Sequence, residues 1–113
     1  MNKKFEQYKK EITDKKVAAV GLGISNRPLV RYLANLGVEI TGFDSAPYAK
    51  LETFINEFEG MENVKFHLGP DYLDNLKGFD IIFKTPAIRP DVPAFVREMR
   101  RGALMTSEME LFM

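Results

Sequence analysis

Val17-Ala18-Ala19-Val20-Gly21-Leu22-Gly23-Ile24-Ser25-Asn26-Arg27-Pro28 is the stretch that decides the fold. Four consecutive apolar residues end at Gly21, the form of a short strand buried on both faces. Pro28 suits the first turn of a helix. Leu29, Leu33 and Leu36 then fall on one helical face, and Gly37 reads as the C-cap. Gly21 and Gly23 open the pattern G-x-G-x-x-G between that strand and that helix. Gly21 permits a tight turn that a side chain would obstruct. Gly23 lets the backbone approach a phosphate. The N–H groups of Ile24, Ser25 and Asn26 fall at the helix N-terminus, where the dipole favours an anion, and Ser25 adds a hydroxyl donor. Asn26 stands where the pattern has its third glycine. That departure predicts looser helix–strand packing and argues against a standard NAD site. The same stretch also reads as a tight turn that binds nothing.

Outward from this unit, strand-like and helix-like periods alternate. Phe5, Tyr8 and Ile12 predict a short amphipathic N-terminal helix. Val38, Ile40 and Phe43 predict a second strand ending at Asp44. Leu51, Phe54, Ile55 and Phe58 form a helical stripe closed by Gly60. Val64, Phe66 and Leu68 alternate as a third strand with one face more exposed. A helical turn covers Leu73 to Leu76, and Ile81-Ile82-Phe83 is a fourth strand stopped by Thr85-Pro86. Pro93 opens a further helix carrying Phe95, Val96 and Met99, and Ala103-Leu104-Met105 is a fifth strand. Repeated strand–helix units with right-handed crossovers give an α/β class: a Rossmann-like, doubly wound sheet of about five mainly parallel strands, with helices on both faces.

With 113 residues, the chain is sized for one domain, 1–113, without a second catalytic one. The formal net charge of +0 lacks the basic surplus of a nucleic-acid binder. No apolar run approaches a membrane span of about 20 residues, and no signal segment opens the chain. The absence of cysteine excludes disulfides and thiolate metal sites, and a cytoplasmic location is the default reading. Ser107-Glu108-Met109-Glu110-Leu111-Phe112-Met113 reads as a helix start with Ser107 as N-cap, which predicts that the chain is a fragment of a longer protein. The methionines from Met99 to Met113 would partly cover a surface that another domain buries.

Two further segments join the glycine loop as site candidates. Asp44 ends the second strand about twenty residues after the glycines, where an acidic residue meets a ribose or base. Asp44-Ser45-Ala46-Pro47 equally reads as a helix N-cap. Thr85-Pro86-Ala87-Ile88 lies at the carboxyl end of the fourth strand, where ligands bind in doubly wound sheets, and it also reads as an ordinary turn. Arg27, Arg31 and Arg89 could reach a phosphate or remain solvated. Lys84 points to the strand end or to solvent. His67, the one histidine, has no second metal ligand at useful spacing and reads as a structural or a surface residue. No catalytic residue set and no metal site is visible.

Three segments in order resemble the N-terminal domain of the Mur ligases, most closely their D-glutamate-adding members. They are Val20 to Asn26, Lys84-Thr85-Pro86-Ala87-Ile88-Arg89-Pro90-Asp91-Val92-Pro93, and Thr106-Ser107-Glu108-Met109-Glu110-Leu111-Phe112. The resemblance implies a domain that binds the UDP part of UDP-N-acetylmuramoyl-L-alanine. Pyrophosphate contacts would fall on Ile24 and Ser25, and uridine contacts on Asp44 and Ser45. The family's Ser-Pro-Gly loop would be Thr85, Pro86 and Ala87, where Ala87 departs from glycine. The resemblance also implies ATP and Mg²⁺ for the full-length ligase, none of it bound by this segment. It implies a central ATP-binding domain and a C-terminal D-glutamate-binding domain as partners in the same chain. The required G-x-x-G-K-[ST] loop does not occur before Met113, so the segment alone is expected to bind substrate without turning it over. An NAD(P)-binding domain of a dehydrogenase or transport regulator, and a non-catalytic interaction domain, are the competing readings.

Overall fold

The computed structural model describes residues 12–23 and 26–106. Five strands form one parallel sheet: β1 (Lys16–Val20), β2 (Glu39–Asp44), β3 (Val64–Leu68), β4 (Ile81–Lys84) and β5 (Leu104–Thr106). Their order across the sheet is β3-β2-β1-β4-β5. Helices α1 (Arg27–Asn35), α2 (Tyr48–Asn56) and α3 (Pro93–Arg100) connect them, with a 3-10 helix at Tyr72–Asn75 between β3 and β4. This is the Rossmann-like doubly wound architecture that the alternating periods predict.

β1 lies at the centre because its residues are small or branched and apolar on both faces. Val17 and Ala19 join a core with Leu29, Val30 and Leu33 of α1 and Leu51 and Phe54 of α2. Ala18 and Val20 join the opposite core with Phe43, Ile82 and Phe95, the last from α3. Helices therefore cover both faces. β1 pairs on one side with β2, Val20 opposite Phe43, and on the other with β4, Val20 opposite Lys84. The chain leaves β1 toward one face and reaches β4 from the other. A crevice must open where the connections diverge, at the carboxyl ends of β1, β2 and β4.

Element boundaries differ from expectation by about one residue. β2 begins one residue later and ends at Asp44 as expected, β5 begins and ends one residue later, the 3-10 helix starts at Tyr72, and β4 runs through Lys84. Two expectations fall differently. Pro47, not Asp44, precedes α2, and no side chain caps that helix. Of the predicted N-terminal helix, Ile12 is described and fully buried, while Phe5 and Tyr8 lie outside the described residues. The predicted helix start from Ser107 also lies outside them.

Candidate functional site

The crevice at the switch point is a cleft of about 390 Å³, lined among the described residues by Gly21, Gly23, Asp44, Ser45, Tyr72, Thr85, Ala87 and Ile88. Three segments far apart in sequence thus meet, and the backbone explains why. The Gly21 N–H donates to Phe43 C=O at 2.7 Å, and the Thr85 N–H donates to Val20 C=O at 3.1 Å. Both bonds extend the ladder just past the strand ends and draw the three loops together.

Gly21 has φ +91°, a conformation other residues rarely adopt. A Cβ there would lie 2.8 Å from Thr85 Cγ2 and 2.9 Å from Thr85 Oγ1. The glycine therefore lets the threonine side chain close over the turn. Gly23 is different: it has no positive φ, and a Cβ added to it would meet nothing within 4 Å. Its backbone faces open cleft.

Asp44 is both lining and latch. One carboxylate oxygen, Oδ2, accepts from the Leu22 N–H at 2.7 Å, and the other, Oδ1, accepts from the Ala46 N–H at 2.8 Å. The first bond fixes the glycine loop to the end of β2. The second closes an Asx-type turn that carries Ser45 into the cleft. Each oxygen keeps a further lone pair.

Asn26 corrects the expectation drawn from it. It is 5% exposed, and its side-chain amide donates to Val20 C=O at 3.2 Å and to Gly21 C=O at 2.9 Å. The residue in the third glycine's place staples helix to strand from inside instead of loosening them. Its own N–H donates to Gly23 C=O at 3.2 Å, so it is not free for an anion. Ile24 and Ser25 lie outside the described residues. Pro86 is exposed within the turn that the Ile88 N–H closes on Thr85 C=O, and it does not line the cleft.

The basic residues have other partners. Arg27 donates to Leu22 C=O at 3.1 Å and lies over the Phe54 ring. Arg31 forms a two-point pair with Glu57, which raises the guanidinium pKa and lowers that of the carboxylate. Arg89 pairs with Asp91 at 2.7 Å. Lys84 Nζ lies 3.4 Å from Thr85 C=O. His67 stacks on Phe43 with ring centroids 5.3 Å apart, the structural one of its two expected roles. Among the described residues no group of His, Asp and Glu could hold a metal, and no helix is long and apolar enough to cross a membrane.

Two residues escaped the sequence reading. Tyr72 lines the cleft at the start of the 3-10 helix. Partial burial and the negative charge of Asp44 raise its phenol pKa. The signal available was Gly69, which returns the chain across the strand ends. Glu98, on α3, is 1% exposed and lies outside the cleft. It accepts from the Gly78 N–H at 2.9 Å and pairs with Arg97 at 2.9 Å. Burial opposes its ionisation, but these bonds and the charge of Arg101 outweigh that and hold it below the usual carboxylate range. A glutamate between apolar helix positions gives no sign that its backbone donor, Gly78, lies twenty residues upstream.

Comparison with known proteins places these features in context. No family model matches the chain. It is 50% identical over 113 residues to UDP-N-acetylmuramoylalanine--D-glutamate ligase of Ruminiclostridium cellulolyticum, covering 100% of this chain and 24% of that protein. It is 51% identical over 112 residues to the ligase of that name from Clostridium tetani, covering 99% of this chain and 24% of that protein. The corresponding ligase from Clostridium acetobutylicum is 52% identical over 113 residues, with 99% and 24% covered. The chain thus spans about a quarter of the length of the curated relatives it matches. Among solved structures, YjhP from E. coli superposes with a TM-score of 0.53 at 18% identity, over 92% of this chain and 45% of that one, which is a likeness of fold.

Proposed function

Because this chain is, along its whole length, a homologue of the N-terminal region of UDP-N-acetylmuramoylalanine--D-glutamate ligases, and so a Mur ligase N-terminal domain, we propose that it binds the UDP moiety of UDP-N-acetylmuramoyl-L-alanine. One observation carries this reading: the glycine loop, the Asp44-Ser45 pair and the Thr85 turn line a single cleft at the sheet's switch point. The open backbone at Gly23 admits the pyrophosphate, and the family resemblance assigns its donors to Ile24 and Ser25. Asp44, acceptor-only when ionised, suits the imide N–H of uracil, with the Ser45 hydroxyl next to it. Thr85 and Ala87 close the nucleoside side.

In the full-length protein this domain would deliver the nucleotide-linked substrate to an ATP-dependent, ADP-forming amide ligase of peptidoglycan precursor synthesis. ATP, Mg²⁺ and D-glutamate would be bound by the central and C-terminal domains, in the cytoplasm. The segment itself then binds without turning over. Calorimetric titration of the purified chain with UDP, UDP-N-acetylmuramoyl-L-alanine and NADH tests the reading. Uridine-selective binding is expected; selectivity for NADH, or binding of none of the three, would refute it.

A further inference from the structure

Tyr72 lines the same cleft, yet the contacts proposed above give it no part. Its position is set by backbone bonds, not by chance contact. The Gly69 N–H donates to Asp44 C=O at 3.0 Å, and the Tyr72 N–H donates to Gly69 C=O at 3.1 Å. Gly69, with φ +96°, makes the reversal that puts the 3-10 helix over the carboxyl end of β2. The half-buried Tyr72 side chain packs against the core that contains Phe43 and Leu76, so the ring is backed by fixed apolar groups. Among the described residues its hydroxyl has no hydrogen-bond partner. The phenol is neutral near pH 7, and partial burial and the charge of Asp44 raise its pKa further.

A nucleobase presents a flat π face and a polar edge. The cleft presents a polar end at Asp44 and Ser45 and, beside it, an aromatic ring rooted in the core. Stacking on such a ring tolerates any base, while the polar end chooses among them. We infer that Tyr72 is the wall against which the pyrimidine base of the nucleotide lies, a residue that secures the base and not the phosphates. This rests on the UDP reading of the cleft, and the test separates the two.

Calorimetry with UDP and with inorganic pyrophosphate is run on the wild-type chain and on Tyr72→Phe, Tyr72→Leu and Tyr72→Ala. Thermal melts confirm that each variant folds; Tyr72→Leu retains apolar packing if Tyr72→Ala does not fold. Tyr72→Phe should bind UDP within about twofold of wild type, because the ring is kept. Tyr72→Leu and Tyr72→Ala should weaken UDP by roughly tenfold or more, with pyrophosphate unchanged. Wild-type affinity for UDP in the folded Tyr72→Leu chain would overturn the inference and leave the UDP reading standing. An equal loss of UDP and pyrophosphate would also overturn it, since that marks a general distortion of the cleft. Failure of the wild-type chain to bind UDP would overturn both.

Discussion

Asn26 shows how one side chain can replace a missing glycine. In the dinucleotide pattern the third glycine lets helix and strand approach without obstruction. Here an amide fills the gap and converts it into two hydrogen bonds, to Val20 C=O and Gly21 C=O. Asn26→Ala would take the side-chain donor from Gly21 C=O and leave Val20 C=O with the Thr85 N–H alone. The expected loss is about 1–3 kcal/mol, read from the midpoint of urea denaturation. Gly23 makes the opposite prediction. With open space beside it and no positive φ, Gly23→Val should leave the denaturation midpoint close to wild type. Under the UDP reading the new side chain occupies the ligand's volume and abolishes UDP-sugar binding, which the same calorimetric titration checks. Unchanged affinity would place the pyrophosphate elsewhere.

At the scale of elements, the fold is held by bonds that bind loops to their neighbours. Asp44 latches β2 to the glycine loop, and Glu98 does the same for α3. Through Gly78, and through the bond from Arg97 to Leu76 C=O at 2.8 Å, α3 is fastened to the segment entering β4. Glu98→Gln keeps an acceptor for Gly78 but discards the charge that Arg97 faces, at an expected cost of about 1–3 kcal/mol near neutral pH. The sign of the pH effect follows from the lowered pKa. The unfolded chain takes up this proton first as pH falls, near the ordinary value of about 4.3. The contribution is complete above that pH and is lost as pH falls toward the lower folded value. Urea denaturation between pH 7 and pH 3 should show a shallower acid decline for Glu98→Gln than for wild type. Parallel declines would mean that the carboxylate titrates normally.

At the scale of the molecule, one parallel sheet holds two cores, and the cleft is the place where they part. A ligand there bridges loops from β1, β2 and β4, so it should stabilise the whole domain by linkage. UDP at about a hundred times its dissociation constant adds about 2.7 kcal/mol, a rise in Tm on the order of 10 °C for a domain of this size. NADH at equal concentration should leave the Tm unchanged; differential scanning fluorimetry reads both. What the sequence determined by itself was whatever depends on local period and local conformation. Val17 to Val20 had to be a buried strand, the leucines of α1 and the phenylalanines of α2 had to face a core, and the glycines had to make turns. Three of the cleft's segments were legible for the same reason, since the carboxyl end of each strand is marked by Gly21, Asp44 or Thr85. Only the tertiary structure decided the rest. A hydrogen bond between distant residues leaves no periodic trace, so nothing local told that Asn26 turns inward, that Glu98 is buried against Gly78, or that Arg27 and Arg31 are held over Phe54. Tyr72 reaches the cleft because Gly69 bonds to Asp44 across two parallel strands, a contact set by sheet register and not by spacing along the chain.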